Sequence, residues 1–368
     1  MALLVALPVA VVAAVLAAGP ALAVTSWTSR QPPAPGGAAN AFLVGVSCPS
    51  SSACMAVGVI GPPGSFTDSW NGTSWALESI PRPAVTTLTG VSCRSATWCA
   101  AVGYAPSGAG RGPNLPLALR WNGTSWSAMA LPLPAGYISG TLAGVSCVST
   151  SGCVAVGTGQ PSRGSVTPFS ETWNGTAWTP STVPGPGAAL TGVACTSGVS
   201  CVAVGANSGA PVADSWDGAS WTAQTVPTDA GGFPASLAGV SCGSAGSCEA
   251  VGAYSSNQVH ALIYQWNGTS WAQQTATGYP NDPSGLTGVA CSRVACTAVG
   301  HIALNGVEQA LVAHWNGTRW HRDTAVAIPP GSVSSYLSGV SCHTWDTCVA
   351  VGDFLQVTGA VPLAEHES

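Results

Sequence analysis

Short apolar stretches, each bounded by Gly, Pro or small polar residues, recur along the whole chain and accompany two repeated phrases. The first phrase, G-V-[SA]-C-x5-C-x-A-V-G, occurs seven times, with one residue fewer between the cysteines of the sixth copy. The second phrase, W-[ND]-G-[TA]-x-W, occurs six times. The period is about 49 residues, which is typical of repeat proteins whose copies stack on one another. The apolar segments predict four short strands per repeat, named A to D in chain order.

Four short strands per repeat are typical of a propeller blade, so the sequence predicts an all-β, seven-bladed β-propeller with four antiparallel strands per blade. The seventh repeat reaches Pro362–Glu365, which matches Pro116–Leu119 of the second repeat, and then lacks a tryptophan phrase. The missing piece resembles Val24–Trp27, which matches Gly123–Trp126. We therefore expect an N-terminal strand to complete the last blade and close the ring.

The tryptophan phrase predicts a hairpin with Asn-Gly in a two-residue type I′ turn. That turn pairs Trp70 with Thr73 and places Trp70 and Trp75 diagonally on one face. We interpret the tryptophan pairs as contacts between neighbouring blades, with sugar stacking as the alternative. Five turns read Asn-Gly-Thr, which is also an N-glycosylation acceptor, but the fourth reads Asp217-Gly218-Ala219. Because the turn residues persist where the acceptor is lost, we interpret the string as a turn signal.

The fourteen cysteines fall into seven close pairs, one per repeat, at the facing ends of strands A and B. Even pairing in an exported chain predicts one disulfide in each blade. A metal site is disfavoured, because His343 is the one histidine in these loops and the spacing is unusual for zinc. We expect no metal and no cofactor. The predicted pairs are Cys48–Cys54, Cys93–Cys99, Cys147–Cys153, Cys195–Cys201, Cys242–Cys248, Cys291–Cys296 and Cys342–Cys348.

The composition and the N-terminus indicate export. Only 6% of the residues are charged, lysine is absent and the net charge is −5, which disfavours nucleic acid as a partner. An apolar run, Leu3–Ala18, precedes the small-residue motif Ala21-Leu22-Ala23, so residues 1–23 are predicted to be a signal peptide and residues 24–368 a single propeller domain. An uncleaved N-terminal membrane anchor is the alternative. We expect a secreted, extracellular monomer.

The function is expected in the parts that do not recur, because the Cys loops and tryptophan turns are nearly constant. The B–C and D–A loops vary between blades and share the opposite face, where Tyr, Asn, Asp and Arg suit a glycan or a peptide. The candidate ligand-binding residues are Tyr104, Arg111, Asn114, Tyr254, Asn257, Asn281, Asp282, His301 and Asn305. Trp98 and Trp345 lie inside Cys loops and are additional candidates as exposed stacking platforms, with packing onto a neighbouring loop as the alternative.

These repeats resemble the secreted bacterial β-propeller repeat proteins described as kelch-like or galactose-oxidase-like, a superfamily that includes sialidases. The stretch Ser69–Trp75 is similar to the sialidase Asp-box, but it is one residue shorter and lacks the Asp. No sialidase arginine cluster or nucleophilic tyrosine can be matched. The copper site of galactose oxidase needs a free cysteine, and every cysteine here is paired. The resemblance therefore implies a propeller fold and transfers no catalytic residue.

The sequence predicts a non-enzymatic binding or scaffold protein that recognises a glycan or an extracellular or envelope protein. The first alternative is a glycoside hydrolase or lyase with carboxylates in the central channel, drawn from Glu171, Asp214, Asp68 and Glu249. The second alternative is a purely structural envelope protein.

Overall fold

The computed structural model describes residues 26–367 apart from 37, 39, 62–63, 83–84, 109–111, 186, 229–230, 276–281, 294, 324–325, 327–328 and 345. Within these residues the chain forms 28 strands, arranged as seven four-stranded antiparallel sheets. The sheets are the blades of a propeller, so the predicted fold class is confirmed. The predicted signal peptide, residues 1–23, lies outside the described residues.

In each blade, strands A to D run from the inside of the ring outward. Strand β1 (Trp27–Ser29) belongs to the last blade. Blades 1 and 2 consist of β2 (Ala41–Ser50), β3 (Ala53–Ile60), β4 (Ser65–Trp70), β5 (Trp75–Glu78), β6 (Thr87–Ser95), β7 (Trp98–Pro106), β8 (Asn114–Trp121) and β9 (Trp126–Met129). Blades 3 and 4 consist of β10 (Tyr137–Ser149), β11 (Gly152–Pro161), β12 (Thr167–Trp173), β13 (Trp178–Thr182), β14 (Ala188–Ser197), β15 (Ser200–Asn207), β16 (Ala210–Trp216) and β17 (Trp221–Gln224).

Blades 5 and 6 consist of β18 (Ala235–Ser244), β19 (Ser247–Ser255), β20 (Val259–Trp266), β21 (Trp271–Gln273), β22 (Ser284–Ser292), β23 (Ala295–Leu304), β24 (Val307–Trp315) and β25 (Trp320–Arg322). Blade 7 combines β26 (Ser334–Thr344), β27 (Thr347–Gln356) and β28 (Gly359–Glu367) with β1. The expected ring closure is therefore confirmed, because Trp27 pairs with Glu367 in antiparallel register. No helix among the described residues has the length and apolar character needed to cross a membrane.

The glycines of the first phrase form a narrow ring where the inner strands meet. A Cβ atom on Gly339 would lie 3.1 Å from the Cα of Gly45, across the closure between the last and first blades. The last glycine of the first phrase, within strand B, is packed more tightly still, since a Cβ on Gly205 would lie 1.9 Å from the carbonyl oxygen of Ala189. Both glycines recur because a side chain there would push backbones apart.

The serine of G-V-S-C links neighbouring blades, a role that the sequence analysis missed. The backbone N–H of Cys93 donates to Ser47 Oγ of the preceding blade at 2.9 Å. The same contact joins Cys147 to Ser92, Cys195 to Ser146, Cys291 to Ser241 and Cys48 to Ser341. Ala194 and Ala290 take the serine position in blades 4 and 6. Five of the seven interfaces therefore carry this side-chain-to-backbone hydrogen bond.

The predicted disulfides are confirmed in every blade. Each cysteine of strand A is bonded to its partner in strand B, and the Cα atoms of the pairs are 3.9–4.0 Å apart. The cysteines are fully used, since the described residues contain no free cysteine. One covalent bond thus fixes the inner hairpin of each blade.

The tryptophan pairs do connect blades, but their pairing differs from the prediction. Trp70 lies directly opposite Trp75, with ring centroids 5.6 Å apart, so the predicted pairing of Trp70 with Thr73 is wrong. The second tryptophan of each phrase is buried and, in most blades, its indole N–H donates to the preceding blade. These bonds join Trp75 to His366, Trp126 to Thr67, Trp221 to Ser170, Trp271 to Gln224, Trp320 to Gln274 and Trp27 to Asp323.

The Asn-Gly turn has four residues instead of the predicted two. The N–H of Asn71 donates to the carbonyl oxygen of Ser74 at 3.3 Å, and Asn71 Oδ1 accepts the N–H groups of Thr73 and Ser74 at 3.0 Å. Asp217 Oδ1 accepts the equivalent pair at 2.8 Å. The side-chain oxygen, rather than positive φ values at both positions, shapes this turn, which explains why Asp replaces Asn without change.

Candidate functional site

The two ends of the ring differ in their loops. One end carries the Cys loops and tryptophan turns, and we call it the constant face. The other end carries the B–C and D–A loops, and we call it the variable-loop face. The type I′ turn is found here, at Asn305–Gly306, where both residues have positive φ and Leu304 pairs with Val307. Asn305 is therefore primarily a turn residue.

Exposed apolar side chains are concentrated on the variable-loop face. Among the described residues, eleven large apolar side chains are exposed, and nine of them lie in B–C or D–A loops or within two residues of them. The other two are Leu77 in strand β5 and Val199 in a Cys loop. The nine are Leu115, Ile138, Val166, Phe233, Val259, Val307, Val333, Leu355 and Val357. They belong to blades 2, 3, 5, 6 and 7, so exposed apolar groups surround this end of the ring.

Three stacked rings cross the top of blade 5. Phe233 stacks on Tyr254 with centroids 6.5 Å apart, and Tyr254 stacks on His260 at 4.9 Å. Sheet register fixes the arrangement, because Tyr254 pairs with His260 on one side and with Ala235, two residues after Phe233, on the other. The ladder ends at Phe233, whose side chain is 43% exposed. Tyr254 was predicted, whereas Phe233 and His260 were missed.

A second cluster lies where blades 6 and 7 meet on the variable-loop face. The rings of His301 and Tyr336 are 5.5 Å apart, and Tyr336 pairs directly with Asp353. His301 fits because Gly285 stands opposite it, where a Cβ would lie 3.0 Å from the imidazole. Glu308, from strand β24, has a buried Oε2 without a hydrogen-bond partner among the described residues. We call these four side chains, His301, Glu308, Tyr336 and Asp353, the Tyr336 cluster.

The Tyr336 cluster is electrostatically perturbed. Burial, followed by the charge of Glu308, raises the pKa of Tyr336. Burial also raises the pKa of Asp353 to about 6. A phenol, an imidazole and two carboxyl groups at one interface can exchange protons with a bound molecule or hydrogen-bond to it. The sequence signal that could have found His301, Tyr336 and Asp353 is their position, next to the recurring Leu of strand A or the recurring Gly of strand B.

The remaining predicted residues that the structure describes are distributed over blades 2, 5 and 6. Tyr104 is half-buried at the mouth of blade 2, opposite Thr87. Asn114 and Asn257 are exposed, and Asp282 is half-buried. Arg111, Asn281 and Trp345 lie outside the described residues.

Trp98 begins strand β7 and is buried. Its side chain is 6% exposed and packs with Ala100 and with core residues of blade 3 such as Leu142. This environment favours packing over an exposed stacking platform.

The acids of the enzyme alternative do not line the central channel. The described channel wall is formed by the inner strands around Gly45 and its equivalents and contains no acidic residue. Asp68, Glu171 and Asp214 lie on strand C and Glu249 on strand B, and all four are at most 3% exposed between blades. The prediction that these carboxyl groups could face the channel is wrong, because at these positions the side chains are buried between neighbouring sheets. The described residues also contain no group of three metal-ligating side chains suited to a metal ion.

The fold and its loops define the protein as a seven-bladed propeller with a constant face and a variable-loop face. No protein-family model and no curated protein matches the chain. The solved structure of YCF48 bound to a D1 peptide is similar, with a TM-score of 0.57, 14% identity and coverage of 94% of this chain and 98% of that chain. YCF48 from Cyanidioschyzon merolae gives a TM-score of 0.55, 14% identity and coverage of 93% and 98%.

A polysaccharide lyase, ulvan lyase bound to an oligosaccharide, is also similar, with a TM-score of 0.55, 8% identity and coverage of 85% of this chain and 92% of that chain. Identities this low show a shared propeller fold and nothing finer. Membership of the kelch-like or sialidase-like groups stays a prediction.

Proposed function

We propose that this protein is secreted and binds a segment of an extracellular or envelope protein through its variable-loop face. The observation that carries the proposal is the placement of nine of the eleven exposed large apolar side chains on that face. Eight of the nine are aliphatic, and aliphatic side chains gain most from covering by an apolar protein surface. Contact with a polyhydroxylated sugar would bury little apolar surface against these aliphatic side chains. Seven disulfides cross-link the inner hairpins of the scaffold that carries these loops.

Two further points support the proposal. YCF48, which shares the fold, has been solved bound to a peptide, so the architecture is compatible with this kind of ligand. Seven disulfides are typical of an oxidising, extracellular compartment. The protein recovered from culture medium is then expected to begin at Val24, and an intact Met1 would contradict cleavage.

A parallel screen tests the proposal. The purified propeller is exposed to a random peptide library displayed on phage and to a glycan array. We expect enrichment of peptides rich in apolar residues and no glycan signal, because the exposed surface is mainly aliphatic. Glycan signal without peptide enrichment would contradict the proposal and favour sugar stacking on the Phe233 ladder. Absence of both peptide enrichment and glycan binding would favour a structural envelope protein.

An acid–base enzyme is the second candidate, favoured by the Tyr336 cluster. Its phenol, imidazole and carboxyl groups converge at one interface, which a lyase or hydrolase would need. On that hypothesis Tyr336→Phe lowers turnover of a polysaccharide panel by about 100-fold. Tyr104→Phe, at the mouth of blade 2, is the matched control and leaves turnover unchanged. Absence of product with the unmodified protein would remove this candidate.

A further inference from the structure

A cavity of about 620 Å³ opens at the variable-loop end of blade 1 and is not part of either aromatic cluster. Its wall is mainly apolar. Phe66 and Ile80 form the buried floor, at 3% and 7% exposure, and Leu77 stands at the edge with 41% exposure. Ile60 and Pro35 complete the apolar wall. A cavity of this size and character suits a bulky apolar group.

The cavity is preformed by backbone hydrogen bonds. The N–H of Ile60 donates to the carbonyl oxygen of Gly64 at 2.9 Å, and that of Gly61 donates to Asn40 at 3.1 Å. Ser65 Oγ accepts the N–H of Leu88 in blade 2 at 2.8 Å, which ties the floor to the next blade. These hydrogen bonds hold the described part of the wall in place, which lowers the entropy cost of binding.

The outer edge of blade 1 runs along the same cavity. Strand β5 is the last strand of its sheet and pairs with β4 alone, so one side of its backbone faces away from the sheet. Leu77 and Glu78 of β5 both line the cavity. Such an edge can pair with an extended segment of another chain, whose side chains then enter adjacent pockets.

Leu77 breaks the repeat at this edge. It lies opposite Asp68, two residues after the second tryptophan of the phrase. The equivalent positions in the other blades hold Ala128, Pro180, Ala223, Gln273, Arg322 and Ser29. A large apolar side chain therefore occupies this outward position in blade 1 alone, beside the cavity.

A carboxylate lies on the other face of β5, next to the cavity. Glu78 follows Leu77 in the strand and therefore points to the opposite face, where Ser69 Oγ donates to its carboxylate at 2.6 Å and fixes its position. At two other interfaces the indole N–H of the next blade donates to the residue equivalent to Glu78, namely Gln224 and Gln274, whereas here Trp126 donates to Thr67 and leaves the carboxylate of Glu78 unoccupied by an indole. Glu78 is thus left to pair with a basic group of a ligand.

We infer that this site binds an extended peptide that pairs with β5, inserts a bulky apolar side chain into the cavity beside Leu77 and places the next residue, a basic one, beside Glu78 on the other face of the strand. The inference rests on the proposed function, since it names an anchor point for the protein segment bound by the variable-loop face. The occupant is a strand of a partner protein, because the open edge and the cavity are continuous.

Fluorescence anisotropy with labelled, blocked hexapeptides tests this inference on the full propeller. The probes are Thr-Val-Phe-Arg-Val-Thr and its variants with Ala in place of Phe or Glu in place of Arg. We expect the Phe–Arg peptide to bind about tenfold more tightly than the Ala variant, and about fivefold more tightly than the Glu variant. Leu77→Ser weakens the Phe–Arg peptide about tenfold, whereas Glu78→Gln removes the preference for Arg and retains that for Phe.

Val199→Ser is the matched control, because Val199 is also exposed, at 63%, but lies on the constant face. Unchanged binding in Leu77→Ser, or equal loss of affinity in Val199→Ser, would overturn the inference. Equal affinity for N-acetyl-phenylalanine amide would overturn strand pairing. If the peptides selected in the screen bind with affinities that do not change in the Leu77 and Glu78 variants, the inference about this cavity is wrong and the proposed function is retained. If the hexapeptide binds as expected but the screen enriches no peptide, the proposed function is wrong and the inference about the cavity is retained.

Discussion

Replacing Trp27 by alanine is expected to open the ring and to lower the free energy of unfolding by about 3–5 kcal/mol. Trp27 is 4% exposed and its indole N–H donates to Asp323 Oδ2 of blade 6 at 2.9 Å. It also anchors β1, which has only three residues and covers the outer edge of β28. Without the indole, β1 has too few contacts to remain paired, and the last blade loses its fourth strand.

Urea unfolding combined with amide hydrogen exchange measures this effect. The amides of β28 are expected to lose protection in Trp27→Ala, because the closing strand leaves. Trp126→Ala is the matched control, since Trp126 has a similar burial of 6% but lies within a continuous blade. Trp126→Ala is expected to lower the free energy of unfolding by a similar amount, while the amides of β28 remain protected from hydrogen exchange. Full protection of β28 in Trp27→Ala would show that the ring does not depend on this strand.

Stability is expected to fall as the pH rises from about 4.5 to about 8, which is unusual for a protein. Burial raises the pKa of Glu171 to about 8, and it is the first cause of raised pKa values near 7 for Asp68, Glu249 and Glu365. A carboxyl group with a raised folded-state pKa holds its proton in the folded protein. Its stabilising contribution is complete below the unfolded pKa and is lost as the pH rises through the folded pKa.

The expected loss of stability is large because the carboxyl oxygens of Glu171 are buried without hydrogen-bond partners among the described residues. The pKa of Glu171 rises from 4.5 to about 8, which corresponds to about 4 kcal/mol between the two pH limits. Urea unfolding at pH 5, 6.5 and 8 measures it. Glu171→Gln is expected to flatten the slope and to exceed the unmodified protein in stability at pH 8.

Asp217→Asn provides the control for the pH series. Asp217 is exposed, and backbone hydrogen bonds from Ser220 and Ala219 lower its pKa, so its contribution is lost only as the pH falls. The substitution is therefore expected to leave the slope between pH 5 and 8 unchanged. A stability that is constant or rises over that range in the unmodified protein would contradict buried, protonated carboxyl groups.

The sequence predicted the fold well because every blade repeats the same local chemistry. The cysteine pairs, the four strands and the closure through Trp27 all follow from short-range patterns and from matching the two ends of the chain. The turn at Asn71 was assigned wrongly, since sequence alone does not distinguish a backbone-shaped turn from one held by the asparagine side chain. At Asn305 the same dipeptide forms the expected type I′ turn.

The sequence analysis predicted which face of the ring carries the candidate sites, but it did not predict most of the residues that form them. Tyr254 and His301 were named, yet their ring partners Phe233 and Tyr336 were not. Phe233 precedes its strand in a D–A loop, and Tyr336 belongs to the blade after His301. Contacts between blades depend on the rotation between sheets, which a repeat pattern does not encode. The cavity beside Leu77 was missed because it forms only when a loop, a strand edge and a linker come together.

The central claim is that binding belongs to the variable-loop face and the constant face is scaffold. It is tested most directly by the dissociation constant of the best peptide from the screen, measured for two matched variants. Val357→Asp changes a side chain that is 97% exposed on the variable-loop face, and Val199→Asp changes one that is 63% exposed on the constant face. We expect Val357→Asp to weaken binding about tenfold or more and Val199→Asp to change it less than about twofold. The reverse order, or equal loss in both variants, would contradict the account.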